Sequence, residues 1–553
     1  MKTEPRTGSS LVLLVLAAAQ FLMILDSSVM NVSMSQVAED VNTPITGIQT
    51  AITLYTLVMA TTMITGGKIG TILGRRRAFG IGLVIYGAGS LTTALAPSLG
   101  VLLLGWSLLE GLGAALIMPA IVALVASNFP AEKRAAAYGL VAAAGAMAVA
   151  AGPLIGGAVT AFASWRYVFA GEVLIVVAIL LFLRKVEDVP AEKASLDWVG
   201  SVLSIVSLGL IVYGVLRSSE WGWVSPTPGG PSLLGASPVI WMIGAGLLLL
   251  NVFFSWQRRL LSAGREPLLN PDLLSNPQLT GGLGMFFSQF MVQAGVFFAL
   301  PMFLSVVLAL DALQTGLRVF PLSVALLITA AGIPRVRPQA NPRRVVRIGV
   351  VLMVIGIGGL VGGMDPGANA SVVAVPLLLI GAGLGALSSQ LGAVTVSAVP
   401  DDRSAEVGGL QNTMTNLGAS LGTALVGSVL ISSLTSAVIS GLENNPDVPP
   451  QVAKAAPVEL ASGVPFLSDA QLEDALDEAG VTDGKQAIMD VNTEARLEAL
   501  RKAFAVAGLL AISSLFFTSR LPTTPPGAPS APTAPATETA PGATRKREAG
   551  EQA

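Results

Sequence analysis

The sequence predicts an all-α membrane protein with fourteen spanning helices. Three observations carry that expectation: composition, the length and spacing of the apolar runs, and where lysine and arginine fall between them. Of 553 residues, 52% are hydrophobic and 12% charged, against about a quarter charged in soluble domains, and mean hydropathy is +0.71. Apolar runs long enough to cross about 30 Å of hydrocarbon, roughly 17 to 25 residues each, recur along the whole chain. A bilayer core offers no water to backbone N–H and C=O groups, so such runs are read as helices. With the amino terminus inside, roughly three quarters of the basic residues lie on the cytoplasmic face, a bias that requires an even number of helices.

In order, the spans are expected at 10–32, 46–67, 77–97, 100–125, 135–158, 166–184, 197–217, 237–255, 278–307, 313–333, 346–364, 371–396, 405–435 and 500–520. The first run carries Asp26 and no small-residue cleavage site, so it is kept as a helix and not removed as a signal peptide. Residues 1–9 form a cytoplasmic tail. Loop 437–498 is acidic and faces outward, and 521–553, rich in Pro, Thr and Ala, reads as a disordered cytoplasmic tail. Arg501 and Lys502, at the outer end of the last helix, depart from the charge rule. Trp165, Trp198, Trp221, Trp223 and Trp256 fall near predicted interfaces and read as belt anchors.

Several classes of function are excluded at this level. The net charge of −2 offers no basic surface for nucleic acid. The chain has no cysteine and no histidine, which removes disulfides, thiolate and imidazole metal sites, thiol nucleophiles and histidine acid–base chemistry. No cofactor and no metal is expected, and an enzyme would have little to work with.

Local strings narrow the reading. Between the second and third runs stands GGKIGTILGRRRAF, with Gly67, Gly70 and Gly74 followed by Arg75, Arg76 and Arg77. Glycines permit close helix approach, and the arginines anchor on the inner leaflet or on neighbouring helix ends. Helix five holds AVAAGPLIGG, with Gly152, Pro153, Gly156 and Gly157 after Gly139. The start of helix six reads SWRYVFAGEV, helix four holds EGLGAALIMPA, and helix one holds LDSSVMNVS.

Together these strings resemble the signature loop, the antiporter motif and the helix-one, helix-four and helix-six motifs of the major facilitator superfamily, in its fourteen-helix drug:proton antiporter branch. The resemblance covers residues 10 to about 435 plus the last helix. It implies two six-helix bundles related by a pseudo-two-fold axis, 10–184 and 278–520, with linkers and two inserted helices in 185–277, rocking about a central site. It further implies a monomer in the bacterial inner membrane, both termini cytoplasmic, exporting lipophilic small molecules, drugs or antibiotics, against protons. Five positions depart from the pattern, two of them Ala148, where the family has glycine, and Glu172, where the branch usually has Asn. The signature loop has Thr71 where the family has Asp, helix four has Ser107 where it has Arg, and Glu110 stands where it has Gln. The loop's charge latch is therefore weakened or differently made, and a proton route built on that arginine cannot operate unchanged.

The residues of interest follow from the cost of placing charge in a membrane helix, several kcal/mol, which marks ionisable groups as functional. Asp26, Glu110 and Glu172 sit in helices one, four and six. Asp26 lies about 24 Å from the inner end of its helix and Glu110 about 15 Å from the outer end of its own, so both are expected to open onto a central cavity. Asp26 is the expected principal proton carrier, with Glu110 in support, and a bonding role in packing is the alternative for each acid. A lipophilic cation is the simplest cargo for acids with no basic neighbour in the first six helices; an anionic or neutral metabolite or lipid is the alternative. Arg318 on helix ten is the one candidate cross-cavity partner. Glu172, Tyr55 and Trp106 are candidate cargo contacts. Gln289 and Gln293 on helix nine, and Asn412 and Asn416 on helix thirteen, form polar stripes at helical spacing that line a cavity or hydrogen-bond between helices.

Overall fold

A computed structural model describes residues 10–525, apart from 44, 189–190, 192–194, 228–229, 311, 366–369, 401–402, 453–463, 465, 479 and 482–483. Among the described residues fourteen long helical rods carry the chain, labelled here in order. The first six are α1 (Ser10–Val32), α2 (Ile45–Leu73), α3 (Arg75–Ala94), α4 (Leu99–Asn128), α5 (Ala131–Phe162) and α6 (Arg166–Phe182). Two more follow, α7 (Trp198–Trp221) and α8 (Pro238–Ser262). The rest are α9 (Pro277–Val307), α10 (Ala312–Val336), α11 (Pro342–Gly363), α12 (Ala374–Val396), α13 (Ser404–Asn444) and α14 (Lys485–Thr518). Twelve meet the length and hydropathy of a membrane span; the other two, α3 and α5, are packed among them, α3 against α4 and α6 and α5 against α1, α10 and α12. This is a multi-pass membrane protein of two six-helix bundles with an inserted pair, as the sequence predicts.

Helix starts follow local chemistry. Ser237, Asn276 and Asn341 each accept a hydrogen bond from the first helical turn, and each is followed by proline at the first helical position, where no N–H is needed. Gly74 breaks α2 from α3 at φ +93°, a left-handed-side conformation that only glycine adopts without strain. Its place between two helices explains one of the three signature-loop glycines.

The two halves meet at the ends of the helices that carry the basic loops. An added Cβ on Gly67 would lie 2.8 Å from the Ala405 carbonyl oxygen, and one on Gly139 would lie 2.4 Å from that of Ala330. Val407 and Leu410 of α13 accordingly belong to the same buried apolar cluster as Met63 and Ile121 of the first half. The inserted pair is pinned by Asp197. Its carboxylate caps α7 by accepting from the Gly200 N–H at 2.9 Å and accepts from Trp256 Nε1 at 3.2 Å and Gln257 Nε2 at 2.9 Å on α8. Helix α7 also packs against α2 and α13, so the insertion touches both halves.

Two boundaries differ from those expected. Helix α13 runs nine residues beyond 435, to Asn444, and α14 starts at Lys485 instead of near 500. Much of the acidic segment 437–498 is therefore helical extension, together with a short helix Asp469–Glu478. Polar residues hid these turns from a hydropathy reading. Arg496, fully buried, ties the segment down by donating to the Leu467 carbonyl at 2.8 Å, to Thr493 Oγ1 at 3.1 Å and to Asp469. Arg501 and Lys502 are likewise accounted for: Arg501 donates to the Met364 carbonyl after α11, and Lys502 pairs with Glu498 at 2.6 Å. Trp165 is no belt anchor. It is fully buried and donates to Asp40 Oδ2 at 2.8 Å.

Close packing of α2 on α4 gives a direct test. A Cβ on Gly66 would lie 2.1 Å from the Ala115 carbonyl oxygen, whereas one on Gly244 meets nothing within 4 Å. Gly66→Ala is expected to destabilise by about 1–3 kcal/mol and Gly244→Ala to be neutral or slightly stabilising, read as thermal midpoints of the purified chain in detergent.

Candidate functional site: a buried carboxylate cluster

Asp26, Glu110 and Glu172 come from three different helices, and one oxygen of each lies within 4.8 Å of the others. None is more than 1% exposed. The sequence expected Asp26 and Glu110 to open onto a cavity; here all three are sealed. Part of the seal comes from α5, whose small residues press it onto α1. A Cβ on Gly152 would lie 2.1 Å from Ser28 Oγ, and one on Gly156 would lie 3.1 Å from the Val29 methyls. Gly157 is half-buried, and the side chain of Pro153 lies outside the described residues.

Among the described residues, each carboxylate has one oxygen held by a donor and one without a partner. Trp106 Nε1 donates to Asp26 Oδ1 at 2.7 Å. Thr93 Oγ1 donates to Glu110 Oε1 at 3.1 Å. Ser90 Oγ, at 3.1 Å, and the Tyr86 hydroxyl, at 3.3 Å, donate to Glu172 Oε2. Asp26 Oδ2, Glu110 Oε2 and Glu172 Oε1 make no hydrogen bond among the described residues. Tyr86, Ser90 and Thr93 were missed by sequence reasoning, although their i, i+4, i+7 spacing on α3 marks one polar face of an otherwise apolar helix.

The local backbone explains the geometry on α4. Leu103–Glu110 is π-helical, a conformation that is uncommon and concentrated at functional sites. It carries Trp106, Ser107 and Glu110. Ser107 does not reach the acids: its hydroxyl donates to the Ala51 carbonyl of α2 at 2.8 Å, binding the π-helical stretch to the next helix. Tyr55 of α2 lies over the Trp106 ring, centroids 4.8 Å apart and planes 7° from parallel. Against α3, the approach is so close that a Cβ on Gly89 would meet Glu110 Cγ at 2.6 Å and the Gly105 carbonyl oxygen at 2.7 Å.

No lysine or arginine bonds to the cluster among the described residues. Arg166 is used elsewhere, donating to the Ala96 carbonyl at 2.7 Å and that of Ala94 at 3.2 Å at the end of α3. Arg318 is half-buried and forms no hydrogen bond or ion pair among the described residues, so the cross-cavity pairing with Asp26 or Glu110 is not made here.

The amide residues stand apart from the acids. Gln289 Nε2 donates to Ser388 Oγ of α12 at 3.1 Å, leaving its Oε1 without a partner, and Gln293 is half-buried one turn on. Asn412 and Asn416 each donate to a carbonyl one turn back, at 2.9 Å, and Asn416 also approaches Met63 Sδ of α2 at 3.5 Å. The sequence grouped all of these with Glu172, Tyr55 and Trp106; the structure brings together only the last three with Asp26 and Glu110.

The basic residues of the signature loop reach a neighbouring helix end and the linkers beyond it. Thr71 bonds only within its own helix, to the Gly67 carbonyl at 3.4 Å. Lys68 instead pairs with Glu266 at 3.1 Å, while the Arg76 backbone N–H donates to Asp188 Oδ1 at 3.0 Å and its guanidinium to the Val186 carbonyl at 3.1 Å. The loop is thus joined to the linkers after α6 and α8. Arg75 is buried and Arg77 exposed, and Gly70 has only an ordinary 3.8 Å approach to Ala78.

A sequence profile described as the Major Facilitator Superfamily matches residues 16–423, and the chain belongs to that family; it is a transporter and not an enzyme. It is 27% identical over 76% of its length to the multidrug resistance protein Stp of Mycobacterium tuberculosis, covering 76% of that protein. It is 26% identical to the tetracenomycin C resistance and export protein of Streptomyces glaucescens, covering 90% of this chain and 89% of that one. The puromycin resistance protein pur8 of Streptomyces alboniger is 28% identical over 77% of this chain and 82% of its own. In fold the chain is similar to the human organic anion transporter MFSD10 (TETRAN), with a TM-score of 0.57 at 14% identity over 92% of this chain and 99% of that one.

Clustering three acids opposes stability. Glu110→Gln keeps an acceptor for Thr93 while removing one of three buried acids that repel one another when ionised. The variant is expected to melt a few degrees above the wild type at pH 8, measured in detergent, even as transport suffers.

Proposed function

We propose that this chain is a proton-coupled antiporter that exports lipophilic cationic small molecules, drugs and antibiotics among them, across the cytoplasmic membrane by alternating access, with both termini cytoplasmic. The observation that carries this reading is the sealed cluster of Asp26, Glu110 and Glu172, with no basic partner among the described residues. Two unit charges about 4 Å apart repel by about 4 kcal/mol at an effective dielectric constant of 20. A sealed cluster therefore needs compensating positive charge, and the two candidates are protons and the cargo itself.

Antiport follows from that exclusion. A cation entering beside Asp26 makes its proton dispensable, and a proton returning makes the cation dispensable, so the two alternate. Asp26 is the principal carrier, held by the Trp106 N–H and within 4.8 Å of both other acids. Glu110 shares the load, and Glu172, fixed by two hydroxyls, meets the cargo. Gln289, Gln293, Asn412 and Asn416 give the second half a polar, uncharged wall. One proton moving down 100 mV releases about 2.3 kcal/mol, enough for about a fiftyfold gradient of a neutral solute. The drug-resistance and export names of the relatives support the reading.

In proteoliposomes with an imposed pH gradient, wild-type protein is expected to drive ethidium uphill and to lose this drive when a protonophore is added. Asp26→Asn is expected to abolish uphill transport while leaving ethidium counterflow. Uphill transport by Asp26→Asn at the wild-type level would falsify the assignment.

A further inference from the structure

Asp26 is held by the indole N–H of Trp106, 2.7 Å away, on a ring fully buried. A neutral donor orients the carboxylate without locking it to a permanent positive charge. One face of the same indole is covered by Tyr55, nearly parallel at 4.8 Å. The two rings are held very differently. Trp106 is anchored through its N–H to Asp26 and, through Ser107 beside it, to the Ala51 carbonyl. The Tyr55 hydroxyl is buried near Asp26 and closes no hydrogen bond of ordinary geometry among the described residues, so that ring is held by stacking and apolar packing without an anchoring bond like that of Trp106.

We propose that Trp106 and Tyr55 form the floor and lid of a site for planar aromatic cations: such a cation displaces the Tyr55 ring, stacks on the Trp106 indole and sets its charge beside Asp26. The inference rests on the antiport reading and adds to it a class of cargo and distinct roles for the two rings. Three features fit together. The indole face is already shaped for a flat ring, an indole is the best aromatic partner for a cation, and Asp26 Oδ2 stands without a partner next to it. Trp106 is then a positioning residue toward Asp26 as well as a binding surface. Tyr55 lies on α2, the helix whose Met63, two turns on, meets Asn416 of α13. Movement between the halves therefore acts directly on the helix that carries the lid.

The experiment compares two monocations in proteoliposomes containing the full chain: ethidium, which is planar and aromatic, and tetrabutylphosphonium, which has no ring. Trp106→Leu is expected to raise the half-saturating concentration of ethidium by about tenfold and to change that of tetrabutylphosphonium far less. Trp106→Phe, which restores a ring without the N–H, is expected to recover most of the ethidium affinity while its maximal exchange rate stays low, separating binding from the hold on Asp26. Tyr55→Ala, with no lid to displace, is expected to bind ethidium more tightly, read by fluorescence titration of the purified protein. Equal losses for both cations in Trp106→Leu overturn the proposal, as does weaker ethidium binding by Tyr55→Ala. If the wild type exchanges neither cation against protons, the antiport reading falls and this one with it; if it exchanges both and the Trp106 variants fail to discriminate, only this one falls.

Discussion

The structure turns on one hydrogen bond in an apolar setting, from the Trp106 indole to the Asp26 carboxylate. A carboxylate inside a membrane bundle is tolerated only where donors or compensating charge reach it, and here a neutral donor does the holding. Around it the helices are fitted closely. Small residues on α5 bring α1 into place, the π-helical stretch of α4 presents Trp106 and Glu110 together, and α3 contributes Tyr86, Ser90 and Thr93 from a single face. Loss of compactness in any of these helices would leave charge unsupported in a region that has little water to offer.

The same economy of polar contacts separates the two halves of the protein. The first half gathers three buried acids in one cluster, while the second presents amides and hydroxyls on α9, α12 and α13. Where the halves touch, glycines at 67, 139 and 409 allow backbone to meet side chain and backbone directly, the close helix approach that small residues permit. The basic loops add ion pairs to linkers, Lys68 with Glu266 and Arg76 with Asp188.

Much of this was legible in the sequence, and the reason is the bilayer. A membrane imposes span length, helical backbone and charge asymmetry on the chain one segment at a time, so the rods, their number and the division into six, two and six could be read from runs of residues. The rarity of charge in such runs singled out Asp26, Glu110 and Glu172 for the same reason. Helix ends beyond the apolar stretch were not legible: polar turns of α13 and α14 continue past the hydrophobic signal, and hydropathy does not register a helix stabilised outside lipid by packing and by Arg496.

What only the tertiary structure decided was which residues share a site. Asp26, Glu110 and Glu172 are far apart in the chain, and their convergence depends on how α1, α4 and α6 are rotated about their axes, which side-chain packing sets and local sequence does not. Packing also chose the donors, gave Ser107 to a backbone carbonyl, left Arg318 outside the cluster and buried Trp165 where a surface anchor was expected. The sequence by itself determined that charge would be buried and on which helices; the packed bundle determined that the charges meet and that an indole, not a guanidinium, holds the first of them.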